Sequence, residues 1–483
     1  MSVARKGMRR KSAAGYVLPV AAPRPPRSLL RTAFLGLVRL FYREIAVSGG
    51  ERLPNPAEGP VVVVANHPNG LLDPVVIRLA LGRPVAFLAK STLFGNPLGR
   101  AAMGAFEAIP VYRAQEADTA RNEETFQRCR QVLLASDGSV GPDDGAGWLA
   151  LFPEGTSHSD SQLKALKTGA ARIALSAEAA DGFRGRVRIL PLGLLYEDKG
   201  TFRSRVAVSV GESFTMSALE VDAAALAADE RACVGRLTAR IGAALSDCVL
   251  EAGDQQTWKA LQAVAAWTSP GGGRDLAAVE RRARQLAAAW RQLLIDDPEQ
   301  AGALTERFRR YVRMVETFGI TDPLAWEGET APTPAGFLGS LAPLILLAPL
   351  ALLGAVMGWA PYRAVRPLAV RLAGQHTDLI STFKLLLGLL TLTSTYVAWA
   401  IVGAWLMGPS GGLAALLLGP LSGFVSLRYG ERVERRRELL RSLWLRATRA
   451  RVAAGVAERR AELNREVETA LSNQGFPEHP EKK

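Results

Sequence analysis

The stretch 60-PVVVVANHPNGLLDPVVI-77 decides how this chain is read. Its four consecutive valines are β-branched and apolar on both sides, as in a strand covered on both faces of a parallel sheet. His67 stands where that buried strand runs out, beside Asn66, and Asp73-Pro74 follow a short turn later. The chain has only four histidines: His67, His158, His376 and His479. Alone, the His67–Asp73 pair reads equally as a reactive pair or as a loop histidine capping a helix.

Outward from this stretch, residues 51–215 alternate in the same manner. Short apolar or β-branched runs (PVVVVA, PVAFLA, AIPVY, WLALF, VRILPLGLL, RVAVSV) are separated by longer segments, several of helix length. That alternation predicts an α/β domain with a mostly parallel sheet. Residues 216–330 are dominated by helix formers, as in 281-RRARQLAAAWRQLL-294, with a linker at 268-TSPGGGR-274. Before the domain, residues 1–26 are basic and proline-rich and predict a disordered cytoplasmic tail. Residues 27–50 predict an amphipathic helix edged by Arg27, Arg31, Arg39 and Arg43, lying in the headgroup layer or packed on the core.

The 483 residues exceed one ordinary domain, and 59 Lys+Arg against 46 Asp+Glu leave a charge of +13. Such an excess suits nucleic acid, an anionic membrane face or a phosphorylated small molecule. Many of the arginines flank apolar runs, where they serve membrane topology and anionic lipid, so no nucleic-acid partner is expected. Cys129, Cys233 and Cys248 lie far apart and form no CxxC pair, which points away from disulfides or zinc and towards a reducing compartment. No metal and no cofactor are expected.

After residue 335 the apolar residues concentrate into 336-GFLGSLAPLILLAPLALLGAVMGWA-360 and 385-LLLGLLTLTSTYVAWAIVGAWLMG-408, with 413-LAALLLGPLSGFVSL-427 just behind. The first two are long enough to enter or cross a bilayer core. Basic residues (Arg363, Arg366, Arg371, Lys384) precede the second run, and the arginine-rich stretch 428–451 follows the third. Positive residues favour the cytoplasmic side. Residues 382–427 are therefore expected to form a transmembrane hairpin turning at 408-GPSGG-412, with 428–483 a basic helical cytoplasmic tail. The first run, 336–360, must then begin and end inside. Pro343 and Pro349 would permit a re-entrant break there, and three full crossings is the competing count. The abundance of Ala, Arg, Gly and Leu suggests a high-GC bacterium, hence an inner-membrane, multi-pass protein with its site facing the cytoplasm.

Four blocks lie in order along the α/β region: 66-NHPNGLLDP-74, 108-AIPVYR-113, 152-FPEGTS-157 and 189-ILPLG-193. In that order they resemble the glycerolipid acyltransferase family, which includes glycerol-3-phosphate, dihydroxyacetone-phosphate and lysophosphatidate acyltransferases. The likeness covers roughly residues 45–215. The family's commonest first block has four residues between His and Asp, whereas five intervene here. A branch resembling fungal glycerol-3-phosphate and dihydroxyacetone-phosphate acyltransferases carries this longer spacing, together with membrane segments after the catalytic domain.

The chemistry suits these residues. Acyl transfer from a thioester needs a base for the attacking alcohol, and imidazole titrates near neutrality. A carboxylate beside it fixes the tautomer and stabilises the imidazolium. His67 is expected as general base and Asp73 as its orienter, with no acyl-enzyme, since no cysteine accompanies the blocks and no GxSxG elbow occurs. The resemblance implies that Arg113 binds the acceptor phosphate, with Lys90 joining it. Glu154 and Gly155 would bind the acceptor and shape the loop, the Gly155 amide facing the oxyanion. Asn66 and Thr156 are grouped with the substrate-binding set, although Thr156 and Ser157 read equally as helix caps. His158 reads as a solvent-facing loop histidine, and Lys164 and Lys167 as a solvated helix face. Pro191 falls in the block linked to the acyl-donor site, or simply ends an edge strand.

The expected function is transfer of a fatty acyl group from acyl-CoA or acyl carrier protein to a hydroxyl of glycerol 3-phosphate or dihydroxyacetone phosphate. Its partners would be membrane lipids, the acyl donor and the phosphorylated glycerol acceptor. Lysophosphatidate or another lysophospholipid is the rival acceptor, and a non-catalytic lipid-binding membrane protein the rival class.

Overall fold

The structure, a computed structural model, describes residues 29–55, 58–95, 97–111, 122–134, 147–269, 273, 275–318, 334–375 and 377–472. Residues 1–26, Arg113, His376 and His479 lie outside the described residues, so the expectations attached to them are not addressed by it.

Eight strands form one sheet: β1 (Tyr42–Ser48), β2 (Val61–Ala65), β3 (Ala86–Lys90), β4 (Ala108–Val111), β5 (Trp148–Leu151), β6 (Arg188–Tyr196), β7 (Ser204–Val210) and the short β8 (Phe214–Thr215). Their spatial order is β1-β7-β6-β2-β5-β3-β4, with β8 beside β6. Strands β6, β2, β5, β3 and β4 are mutually parallel. Antiparallel pairing enters where β7 and β8 meet β6, and β1 runs parallel to β7. All six runs read as strands in the sequence are strands here.

Strand β2 shows why valine suits this place. Val61, Val63 and Ala65 face one apolar layer while Val62 and Val64 face the other, all fully buried. Each buried valine side chain contributes about 1.5–3 kcal/mol. The first layer is covered by α1 (Leu29–Phe41) and α2 (Asp73–Leu81), and α3 (Pro97–Ala105) leads into β4. The second is covered by α4 (Asn122–Leu134), α5 (Gly169–Ala180) and, beyond the short α6 (Ala223–Ala228), α7 (Glu230–Ser246).

The helix expected over 27–50 is shorter than the spacing suggested. It ends at Phe41, and the chain passes directly into β1, where Ile45 pairs with Val206 and Val47 with Val208. An available sheet edge outweighs helical spacing there. Helix α1 buries Val38 and Phe41 and exposes Leu29, Leu30 and Leu40. Arg31 turns inward to Glu107 at 2.8 Å, so the arginines do not share one outward edge.

The helical region packs on the β1–β7 side of the sheet. Helices α8 (Gln255–Thr268), α9 (Leu276–Asp296) and α10 (Pro298–Phe318) build a third apolar cluster with Ala46, Leu195 and Ala207. Ser48 Oγ donates to Glu280 Oε2 at 2.6 Å across that junction. The last described helix, α13 (Ala450–Ser472), returns to this cluster through Val456, Leu463 and Val467, and its Glu468 pairs with Arg282. What the sequence presents as a tail is thus docked on the soluble part.

Between them lie α11 (Pro334–Ala373) and α12 (Ile380–Thr448). Helix α11 continues unbroken through Pro343 and Pro349, so no chain reversal occurs at those prolines. Helix α12 reverses at Gly408, whose φ of 73° and ψ of −174° are not helical. The two arms lie against each other: a Cβ on Gly403 would sit 2.6 Å from the Gly411 carbonyl oxygen, and one on Gly419 would sit 2.9 Å from the Tyr396 ring. The turn therefore falls at Gly408-Pro409. Helix α11 touches both arms, Met357 meeting Gly419 and accepting from Trp399 Nε1 at its carbonyl. Windows within 341–373 and 380–434 are long and apolar enough to cross a membrane. Their outward faces carry Leu346, Trp359, Tyr362, Leu390, Ile401, Trp405 and Leu417 with little cover from protein. A continuous apolar surface of this kind is out of place in water and at home in lipid.

Candidate active site

His67 leaves β2 at its C-terminal end, and Phe152 leaves β5 at its own. Because Val64 pairs with Leu151, the two exits are neighbours. Strand β6 flanks β2 on the other side, with Ala65 against Leu192, so Tyr196 overhangs the turn after β2. Open α/β sheets bind ligands at such strand ends.

The turn Pro68–Leu72 brings Asp73, at the start of α2, back to His67. His67 Nδ1 donates to Asp73 Oδ2 at 2.9 Å. Since an ionised carboxylate only accepts, Nδ1 carries the proton and Nε2 keeps its lone pair. Asp73 is fully buried, and its oxygens are also satisfied by the Asn69 backbone N–H at 2.7 Å and the Tyr196 hydroxyl at 2.6 Å. Its position in the first turn of α2 adds the favourable end of the helix dipole. The imidazole stacks on Phe152, with ring centroids 4.0 Å apart and planes 14° apart. Its side chain keeps 18 % exposure, which leaves one edge open to an incoming group.

Two tyrosines that the sequence reading did not single out complete the setting. Tyr42 accepts from Asn69 Nδ2 at 2.6 Å and donates to the Lys199 carbonyl at 3.3 Å. Burial pushes the phenols of Tyr42 and Tyr196 well above their ordinary value, and the Asp73 charge adds to it. Both remain proton donors throughout the neutral range. Lys199 Nζ donates to the Pro68 carbonyl at 2.7 Å. Burial lowers its pKa, while Asp73, Asp378 and Asp160 oppose that.

Glu154 is held by protein donors on both of its oxygens. Its buried carboxylate accepts the His67 backbone N–H at 3.1 Å through Oε1, and the Lys164 N–H at 2.9 Å and His158 Nε2 through Oε2. It ties the loop after β5 to the loop after β2, and both oxygens have protein partners. His158 is accordingly not solvent-facing, with 10 % of its side chain exposed. Gly155 adopts φ +68°, and a Cβ there would meet the Lys167 side chain at 2.7 Å. Its N–H closes a turn onto the Phe152 carbonyl at 2.9 Å. Thr156 and Ser157 cap no helix, because the next one begins at Gly169.

Asn66 is buried, with its amide oxygen accepting from Leu194 N–H at 2.7 Å and its amide nitrogen donating to the Leu194 carbonyl at 3.1 Å. It joins β2's exit to β6. Lys90 is exposed at the end of β3, opposite Val111 of β4, two residues before Arg113. Pro191 is not on an edge: β6 lies between β2 and β7. It sits where the neighbour of β6 changes from β8, at Ile189, to β7, at Leu192, so its missing N–H costs no ladder bond. By strand alternation it faces away from Tyr196 and the His67–Asp73 side.

A His–Asp pair at the carboxyl end of a mostly parallel sheet makes a candidate acid–base site on an α/β scaffold. Residues 44–194 match the family model described as Acyltransferase. Similar curated proteins include an uncharacterized acyltransferase of Schizosaccharomyces pombe, 25 % identical over 37 % of this chain and 38 % of its own length. Glycerol-3-phosphate O-acyltransferase 2 of Saccharomyces cerevisiae is 27 % identical over 59 % of this chain and 39 % of its own. A chloroplastic 1-acyl-sn-glycerol-3-phosphate acyltransferase of Arabidopsis thaliana is 31 % identical over 32 % and 39 %. The matches thus span about two-fifths of these relatives' length. A solved Thermotoga maritima 1-acyl-sn-glycerophosphate acyltransferase overlaps 44 % of this chain and 76 % of its own, at 20 % identity and a TM-score of 0.30, a likeness that decides nothing. The α/β domain of this chain is thus similar to glycerolipid acyltransferases over the residues matched.

Proposed function

We propose that this protein is a membrane-bound O-acyltransferase that esterifies a hydroxyl of glycerol 3-phosphate, or of dihydroxyacetone phosphate, from an acyl thioester. The observation that carries the reading is the 2.9 Å bond from His67 Nδ1 to a fully buried Asp73. It leaves Nε2 as a base on a partly open edge.

In the proposed reaction the acceptor hydroxyl gives its proton to His67 Nε2 as its oxygen attacks the thioester carbonyl. The tetrahedral intermediate then collapses, the carbon–sulfur bond breaks, and the thiolate takes the proton back from the imidazolium. Asp73 stabilises that imidazolium and holds its tautomer. Covalent catalysis by cysteine finds no support. Cys129, Cys233 and Cys248 are all buried, and burial pushes the thiols of Cys129 and Cys248 up to about 12.

The glycerol 3-phosphate reading is favoured by the five residues between His67 and Asp73 and by the yeast relative's extent over 59 % of the chain. A lysophosphatidate acceptor is the second reading, favoured by the Arabidopsis relative's name at 31 % identity. The long apolar faces of α11 and α12 support an enzyme resident in the membrane, its site on the side where α12 begins and returns.

The experiment is purified full-length protein offered glycerol 3-phosphate, dihydroxyacetone phosphate and lysophosphatidate with acyl-CoA and acyl carrier protein donors. Glycerol 3-phosphate should give the highest kcat/KM, and Arg113→Ala should raise its KM with little change for the donor. Preference for lysophosphatidate would select the second reading. No transfer to any acceptor would end both.

A further inference from the structure

The segment joining the two long apolar helices does not hang free. It settles on the turn that joins His67 to Asp73. Leu379 Cδ2 and the Asp378 carbonyl oxygen lie 2.9 Å and 3.1 Å from where a Cβ on Gly70 would be, and Gly70 itself adopts φ +45°. The Asp378 carboxylate, largely buried, accepts from Ser157 Oγ in the loop whose Glu154 holds the His67 N–H. Three residues further on, Ser381 Oγ donates to the Lys199 carbonyl, and Lys384 Nζ donates to the Gly200 carbonyl. Lys199 in turn grips the Pro68 carbonyl from the opposite side of the turn.

The catalytic turn is therefore clamped twice, and both clamps are anchored in residues 378–384. We propose that Asp378 is a positioning residue for the His67–Asp73 pair, so that the α11–α12 segment seats the catalytic turn. The proposal rests on the acyl-transfer reading above. None of the contacts described for Asp378 reaches the open edge of the imidazole, so its influence falls on the alignment of the base and not on substrate binding.

The test uses the full-length protein in membranes, with wild type and His67→Ala assayed alongside. Asp378→Ala should lower kcat on the order of 10-fold, as displacements of a fraction of an ångström do, with KM for donor and acceptor changed by less than about twofold. Asp378→Asn keeps an oxygen for the Ser157 hydroxyl and should recover kcat to within about threefold of wild type. Ser157→Ala deletes one hydroxyl from a loop and is expected to fold; it should match Asp378→Ala, and the double variant should be no worse than either single one. Hydrogen exchange over 66–73, read in the same samples, should be faster in Asp378→Ala and Ser157→Ala than in wild type. Unchanged kcat and exchange in both variants would overturn the proposal. So would a loss confined to KM, or an Asp378→Asn as poor as Asp378→Ala. Failure of the acyl-transfer reading looks different: wild type and His67→Ala would be equally inactive, and the exchange rates alone would then decide the clamp.

Discussion

Replacing Tyr196 by Phe removes one of the three donors that hold the Asp73 carboxylate. The Tyr196 hydroxyl meets Oδ1 at 2.6 Å, while the Asn69 N–H and His67 Nδ1 both bind Oδ2. Asp73 has no solvent exposure, so water does not replace the lost donor. A hydrogen bond to a buried charge is worth about 1.5–3 kcal/mol. If the whole of that is felt when the imidazolium forms, kcat falls roughly 10- to 100-fold, since about 1.4 kcal/mol is a factor of ten. KM should stay within about twofold, because no substrate contact is touched. Stacking on Phe152 and the bond from the His67 N–H to Glu154 keep the ring in place, which makes total loss unexpected. Tyr42→Phe is the matched control. It lies one step removed, through Asn69, and should cost about 1 kcal/mol of stability and at most roughly threefold in kcat. The assay is labelled acyl transfer at saturating donor with acceptor varied, on protein whose thermal unfolding is also followed. If Tyr196→Phe loses stability yet keeps its kcat, the orientation of Asp73 does not govern the rate and the reasoning is wrong.

Three further outcomes follow from the same geometry. Glu154→Gln puts an amide N–H₂ among donors already aimed at the carboxylate, so kcat should fall more than acceptor KM rises; a change in KM alone would restore the acceptor-binding role expected from the sequence. At alkaline pH the unfolded chain ionises its tyrosines near 10 while burial keeps the protons on Tyr42 and Tyr196 in the folded protein. Stability is therefore intact below that pH and declines above it, by up to about 1.4 kcal/mol per pH unit for each, and Tyr196→Phe should show a shallower decline in chemical unfolding. Cysteines placed at Gln375 and Ser410 should label from opposite sides of the membrane, the three native thiols being buried; labelling of both from one side would remove the hairpin.

Much of this was legible in the sequence where the signal is local. The valine run, the six strands and the His67–Asp73 spacing each lie within a few residues, and the reversal at Gly408 is written as glycine beside proline. What escaped depends on distance along the chain. Tyr196 is 123 residues from Asp73, and Asp378 is 221 from Ser157, so no spacing joins either pair. Strand β1 escaped because α1 enters it with no breaker, and only the pairing with β7 shows that Tyr42–Ser48 is extended. Glu154 was found, but not the protein donors that surround it. A carboxylate in a loop block reads as substrate-facing until the His67, His158 and Lys164 donors around it are seen. Pro191 misled in the same way, since a change of neighbouring strand tolerates proline inside a sheet as well as an edge does.

Everything in the account requires that imidazole to remove a proton from the acceptor. The most direct measurement is acyl transfer by membranes carrying His67→Ala at wild-type abundance, supplied with labelled acyl donor and glycerol 3-phosphate. Transfer should fall to the level of membranes lacking the protein, with thermal unfolding little changed, whereas turnover close to wild type would contradict the assignment of His67 as the base.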